Sequence, residues 1–351
     1  MEAKATTLLR FFEENQNNQF VIPIYQRLYS WKKEQCEQLW DDIIKIGGND
    51  KMNGHFIGSI LYVLDGITHS NNALLIIDGQ QRLTTITLLL TALRNHLSDK
   101  RKEIEDHYLI NSDKGGDKKF RLILSESDKD TLLYLIDKDR RKPSKLSLKI
   151  VENFELFEEW IRKNTGKLET IFKGLEKLTI VWIALEKGDD PQLIFESMNS
   201  KGMELTQTDL IRNYIVMETE AEKQEGFYNK YWRAMEEEFK QNETLFNRFV
   251  RHYLTIKTGK IPNINRVYVA FKDYQQKEGI EIEALLQDLQ KYCRYFCQIV
   301  FKKEEADERL NKALSFLVDL DMDVVYPLLL ELYSDIAMAF YPSRILSLLS
   351  L

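Results

Sequence analysis

The chain has 351 residues, 49 of them basic and 55 acidic, for a formal charge of −6; 44% are hydrophobic and 30% charged. These values fit a soluble globular protein with room for two domains and a substantial core. Six prolines and 15 glycines exclude collagen-like and low-complexity classes and favour helix over an all-β fold, while the net charge argues against a surface coated for nucleic acid but not against a local basic groove.

In chain order, residues 6–14 read as a short helix with Leu8, Leu9, Phe11 and Phe12 on its apolar side. Residues 20–25 are rich in β-formers, and Pro23 places them at a sheet edge or strand end. Ser30 fits the N-cap of a helix carrying Leu39, Trp40, Ile43 and Ile44 at helical spacing, closed by Gly47 and Gly48. Residues 55–64 and 73–77 read as strands, and a helix is predicted over 83–96. From residue 98 acids and bases crowd together, which predicts a helical, solvated insertion at about 98–175. Within it residues 138–149 are locally basic, which reads first as wet surface and second as a nucleic-acid contact.

Residues 151–161 form an amphipathic helical pattern, and 177–185 a strand pattern with β-branched Ile180, Val181 and Ile183. Residues 195–199 lead into a turn at Gly202, and Thr206 with Asp209 has capping-box spacing for a helix over 207–218. Helices follow at 228–239, 243–255, 265–276, 281–301, 305–318 and 324–338. Strands confined to the first two thirds, without regular alternation, predict an α+β fold. The expected organisation is a domain at 1–217 and an all-helical domain at 218–351.

Three cysteines give no disulfide framework and predict a cytoplasmic protein. Residues 1–14 lack the apolar core of a signal peptide. The most apolar stretch, 83–93, is far shorter than the roughly 20 residues of a bilayer span, so no membrane association is expected. Cys293 and Cys297 lie one helical turn apart and read as packing, not metal ligation. Asp319, Asp321 and Asp323 lack the Gly and Glu of a calcium loop and read as a helix connection.

The segment with most chemistry is strand, Asp78-Gly79-Gln80-Gln81-Arg82, helix. Gly79 allows a sharp turn with bare backbone. The helix N-terminus that follows attracts anions, phosphate above all. Arg82 adds a fork of donors suited to phosphate oxygens, and Gln80 and Gln81 hydrogen-bond without adding charge. There is no GxxxxGK[ST] loop. A tight turn whose arginine pairs with a surface acid explains the pattern about as well.

A second group is Tyr25, Gln26 and Arg27, leaving the end of the first predicted strand. If that strand neighbours the one ending at Ile77, Arg27 and Arg82 face one pocket, with Tyr29 and Trp31 as an aromatic wall for a base. Core and rim packing is the equal alternative. A third is Asn199 and Lys201 in the polar turn, where a plain turn and cap needs no function.

Four segments in order, IPxYQRxYxW (22–31), HFxGSI (55–60), IIDGQQRLTT (76–85) and FxxxNxxGxxLTxxDLIRN (195–213), resemble the N-terminal domain of GmrSD-type restriction proteins, in the ParB/sulfiredoxin-like superfamily. The resemblance covers about residues 6–217. It implies a small mixed sheet with helices that binds, and in some members hydrolyses, a nucleoside triphosphate with Mg²⁺. It implies nucleotide contacts from Tyr25, Gln26, Arg27, Gly79, Gln80, Arg82, Thr84, Asn199 and Lys201, and catalytic roles for Asp78, Gln81 and Arg82, with Asp78 the candidate metal ligand. Sulfiredoxins carry a catalytic cysteine where this chain has Gln80, so sulfinic-acid repair is not expected.

The function so implied is the NTPase component of a GmrSD-like restriction or anti-phage system acting on modified phage DNA. Such systems cut with an HNH-type nuclease, which needs a histidine base beside a metal-ligand set. His55, His69, His96, His107 and His252 form no such cluster, and no histidine follows His252, so a nuclease module or partner subunit is expected to be supplied separately. The apolar finish at 345–351 suits a truncated end or one packed on a helix equally. A homo-oligomer is compatible with this reading. The rival is a non-catalytic DNA-binding module gripping backbone phosphate or a modified base, with 138–149 assisting and affinity falling steeply with salt. A toxin–antitoxin or structural role stands third.

Overall fold

The N-terminal part of the chain is built on one six-stranded mixed sheet in the order β1-β6-β3-β4-β2-β5. Its strands are β1 (Glu2–Thr7), β2 (Gln19–Val21), β3 (His55–Leu64), β4 (Ala73–Asp78), β5 (Leu122–Ile123) and β6 (Leu178–Leu185). The computed structural model describes residues 1–64, 73–186, 188–189, 194, 206–239, 242–301, 308–320 and 322–339. It divides into two units, Met1–Met198 and Asn199–Leu351. The expected α+β class, with strands first and helices after, is what it shows.

Strand β1 corrects the sequence reading of a helix from residue 6. It runs antiparallel to β6, Glu2 opposite Ala184 and Thr7 opposite Thr179, and α1 (Leu8–Glu14) begins only afterwards. Its side chains are mostly exposed, so it carries no alternating apolar signal; the β6 ladder holds it. Strand β2 ends at Val21, short of Pro23, which has no N–H for a ladder. It is not an edge strand. It pairs in parallel with β4 on one side and β5 on the other.

Strand β5 comes from the charged segment read as a solvated insertion. Phe120, Leu122 and Leu124 alternate into the core, and the flanking helices bury Leu132, Leu133, Phe157 and Ile161. Those helices are α4 (Arg101–Ile104), α5 (Glu126–Ile136), α6 (Leu148–Lys163) and α7 (Leu168–Glu176), with α2 (Lys33–Gly47) and α3 (Gln80–Arg94) preceding them. The insertion therefore completes the sheet and the core, its apolar residues hidden in sequence among the charges. Ser30 does not cap α2. The helix starts at Lys33, and the Lys32 N–H donates to Gln35 Oε1 at 2.8 Å.

Helix α3 is buried on nearly every side, the pattern of a central helix. Its threonines fit because their hydroxyls donate back one turn, Thr85 to Gln81 O (2.8 Å), Thr87 to Leu83 O (2.8 Å) and Thr91 to Thr87 O (2.7 Å). Helices α2 and α7 cross at two glycines. A Cβ on Gly174 would fall 2.8 Å from Ile43 Cγ2 and 2.9 Å from Ile43 C, and one on Gly47 2.9 Å from Gly174 N.

Among its described residues the second unit contains no strand. It comprises α8 (Gln207–Met217), α9 (Ala221–Phe227), a π-turn leading into α10 (Arg233–Glu238), α11 (Glu243–Thr258), α12 (Val267–Glu278), α13 (Ile282–Val300), α14 (Glu308–Asp319) and α15 (Tyr326–Ala339). Phe239, Phe246, Phe249 and Phe296 pack ring to ring in its core, and Cys293 and Cys297 are buried on α13 as packing residues. No helix among the described residues is long and apolar enough to cross a membrane.

Candidate functional site

Strand β4 ends at Asp78, opposite Leu61 of β3. Gly79 then turns the chain at φ 94°, ψ 3°, and serves as N-cap of α3. That left-handed conformation favours glycine, and so does the space: a Cβ would lie 3.0 Å from Ser59 O and 3.1 Å from Ile60 Cγ1. Among the described residues no side chain caps α3, so its first-turn N–H groups and the positive end of its dipole are left to whatever lies over the turn. Gln80 and Gln81 are largely buried; Thr84, one turn on, is buried at 2% exposure in the body of the unit.

Because β2 runs parallel beside β4, its C-terminal end arrives at the same end of the sheet as Asp78 and Gly79. This is where open sheets with parallel strands seat ligands. The segment after β2 is tied over the turn. Gln26 Nε2 donates to Ile77 O at 3.1 Å; Gln81 Oε1 accepts from the Ser30 N–H at 2.9 Å, and its Nε2 donates to Leu28 O at 3.3 Å. Arg27 lies between these tethers, half-buried, with no hydrogen bond or ion pair among the described residues. Tyr25 is buried, which pushes its phenol pKa up and keeps it neutral.

Tyr29 does not form the wall expected for a base. Its hydroxyl lies 2.7 Å from Thr85 Oγ1 and accepts from Asn153 Nδ2 at 3.0 Å, while its N–H donates to Asp128 Oδ2 at 2.6 Å. It is a core residue clamping α3 to α6. Trp31 is half-buried, packed against the same core.

The Arg82 side chain lies against β3. Nη1 donates to Ile57 O at 3.0 Å, and Nη2 is 3.4 Å from Asp78 Oδ2, with the two side chains 26% and 29% exposed. Room for it comes from an irregularity in β3, whose register against β6 shifts between Phe56 and Ser59. Gly58 sits there at φ 113°, and a Cβ on it would fall 2.8 Å from Arg82 Cζ and closer still to Nη1. The glycine of the HFxGSI segment is thus a slot for the arginine of the DGQQR segment, a pairing that spacing along the chain does not reveal.

The turn therefore brings together Asp78, Gly79, Gln80, Gln81, Arg82 and Gln26, with Arg27 on the segment tethered to it, while Thr84 and Tyr25 are buried. Both ends of the Gln81 amide are engaged by main chain, so orienting a water would require releasing one of them. Among the described residues Asp78 is the one carboxylate at the turn, and no three His, Cys, Asp or Glu side chains gather as a metal site. Asn199 and Lys201 lie outside the described residues. A cavity of about 470 Å³ opens at Asp130 and residues 140–144, away from the turn.

The last sequence segment has a structural outcome where described. Asp209 N–H donates to Thr206 Oγ1 at 3.1 Å and Thr206 N–H to Asp209 Oδ2 at 3.3 Å, the expected reciprocal cap. Arg212 is buried between Asp209 (2.6 Å) and Glu236 (2.7 Å), and Glu236 also accepts from Trp232 Nε1 at 2.9 Å. Burial works to lower the Arg212 pKa, but the two carboxylates outweigh it and hold the guanidinium charged.

Compared with known families, residues 8–216 match the one described as GmrSD restriction endonuclease, N-terminal domain, over more than half of the chain. No curated protein matches the chain.

Proposed function

The chain belongs to the GmrSD restriction endonuclease N-terminal domain family, and from that premise we propose that this restriction-system component binds and hydrolyses a nucleoside triphosphate whose phosphates lie over the β4–α3 turn. The observation that carries the reading is the combination of a left-handed Gly79 and, among the described residues, an uncapped α3 N-terminus and a half-buried Arg27 without a partner. A polyphosphate supplies the negative charge that all three lack.

The roles follow from position. The first-turn amides of α3 hold phosphate oxygens. Arg27, without a partner among the described residues, closes on the phosphates from the β2 side. Arg82, seated on Ile57 O, presents the rest of its guanidinium from the β3 side. Gln26 and Gln81 keep the Arg27 segment over the turn. Asp78 fits a Mg²⁺ that keeps waters and phosphate oxygens as its other ligands, since Mg²⁺ commonly takes only one or two carboxylates; the ion would neutralise phosphate charge. Fixed positive groups around the phosphates favour the transition state of phosphoryl transfer, where charge spreads over the transferred group. The nucleotide state then acts on a nuclease module or partner that cuts modified DNA.

A thermal-shift screen of ATP, GTP, CTP and UTP with and without Mg²⁺ tests this. A ligand at about 100 times its dissociation constant stabilises the folded form by roughly 2.7 kcal/mol. We expect one nucleotide to raise the midpoint in wild type, and Arg82→Ala and Arg27→Ala to abolish the rise while staying folded. If calorimetry finds both variants binding like wild type, the assignment is wrong.

A further inference from the structure

We propose that the cavity beside α5 is a second anion site in the N-terminal unit, one that seats the sugar–phosphate backbone of duplex DNA. Its volume is about 470 Å³, and Asp130, Arg140, Arg141, Lys142, Pro143 and Ser144 line it. In a chain of net charge −6, residues 137–149 carry six cations and two acids.

The loop is built, not merely charged. Arg140 N–H donates to Asp137 O at 3.2 Å, Asp139 N–H to Asp137 Oδ1 at 3.1 Å, and Ser147 N–H to Thr131 Oγ1 at 2.9 Å. Pro143 fixes its own φ in the middle. The Arg140 guanidinium is anchored by Asp117 at 2.9 Å and lies 5.4 Å over the Phe120 ring.

Two of the neighbouring acids are already used, while Asp139 is exposed beside the lining. Asp117 binds Lys129 (2.7 Å) as well as Arg140, and Asp137 binds Lys119 (2.7 Å); these partners hold both carboxyls below their usual range. Arg141, Lys142 and Lys145 are exposed and have no ion pair or hydrogen bond among the described residues. Asp130, also unpaired, is the one acid of the lining. Positive charge therefore remains unspent on the rim of a preformed recess.

The ligand class follows from what lines the recess. Among the described residues no aromatic side chain lines it, so it offers no stacking platform for unpaired bases, and exposed cations contact phosphates irrespective of sequence. Among polyanions, duplex DNA is favoured because the chain belongs to a family of restriction proteins. The site is separate from the β4–α3 turn and does not depend on nucleotide binding there.

The test is fluorescence anisotropy of a short labelled DNA duplex with the full chain, titrated across salt. The double variant Arg141→Ala/Lys142→Ala should flatten the slope of log affinity against log salt by about 2, since each lost phosphate contact removes roughly 0.9. Asp130→Asn should act in the opposite sense and tighten binding. Both substitutions are at exposed side chains unpaired among the described residues, so the unfolding midpoint and any Mg-nucleotide shift should not move. Arg82→Ala should leave duplex binding intact, which separates failure here from failure of the nucleotide reading. Wild type that does not bind duplex at low salt, variants that bind like wild type, or tighter binding of duplex RNA with the same dependence on Arg141 and Lys142 would each overturn the proposal.

Discussion

Replacing Gly58 by alanine tests whether the irregularity in β3 exists to seat Arg82. The new Cβ would fall 2.8 Å from Cζ, against an ordinary contact of about 3.5 Å or more, so the guanidinium has to retreat by roughly 1 Å. Its bond to Ile57 O, now 3.0 Å, then passes the limit at which it counts. Loss of a hydrogen bond to a charged group costs about 1.5–3 kcal/mol. Alanine held at φ 113° adds about 1–3 kcal/mol of backbone strain. The two terms separate in a double-mutant cycle measured by urea unfolding. In wild type, Gly58→Ala should cost both; in an Arg82→Ala background only the strain remains, leaving a coupling of about 1.5–3 kcal/mol. An equal cost in both backgrounds would show that Gly58 serves the strand alone and refute the slot.

Three further outcomes follow from packing and charge. Gly174→Ala forces α2 and α7 apart and should destabilise the N-terminal unit by about 1–3 kcal/mol in denaturant unfolding; a neutral result would mean the crossing is looser than its backbone contacts indicate. Asp209→Ala leaves Arg212 buried beside Glu236 alone and removes the carboxylate half of the reciprocal α8 cap, the Asp209 N–H bond to Thr206 Oγ1 remaining, so a loss of about 3–5 kcal/mol is expected; a loss below about 1 kcal/mol would count against a buried ion network. Burial pushes the His252 imidazole below its ordinary 6.5, against the pull of Asp323 at 3.1 Å and with Arg248 and Arg251 nearby. Below about pH 6.5 the unfolded chain then binds more protons than the folded one, so stability falls as pH drops there. His252→Gln should flatten that limb in urea midpoints taken between pH 7.5 and 5; an unchanged slope would assign it elsewhere.

Much of the fold is legible because its signals are local. The apolar stripe of α2, the Gly47–Gly48 stop, the glycine turn after β4 and the Thr206–Asp209 cap all rest on interactions a few residues apart, and the structure places each where spacing predicts. The misreadings share the opposite property. Ser30 has the chemistry of a cap, yet its N–H is taken by Gln81, 51 positions along. Tyr29 follows Gln26 and Arg27 but turns inward, because Thr85 and Asn153 meet it from α3 and α6.

Sequence alone determined which residues bend the chain, which cap its helices and which carry charge at the β4–α3 turn, since those depend on backbone torsion and near-neighbour chemistry. Only the tertiary structure decided that the mostly exposed residues 2–7 form a strand, that a charged insertion supplies β5, and where the Arg82 guanidinium points. Each of those outcomes is set by a partner far along the chain: β6 for the first strand, β2 for the insertion, and the Gly58 irregularity for the arginine. A side chain's direction is fixed by the space and the acceptors around it, and the fold alone brings those together.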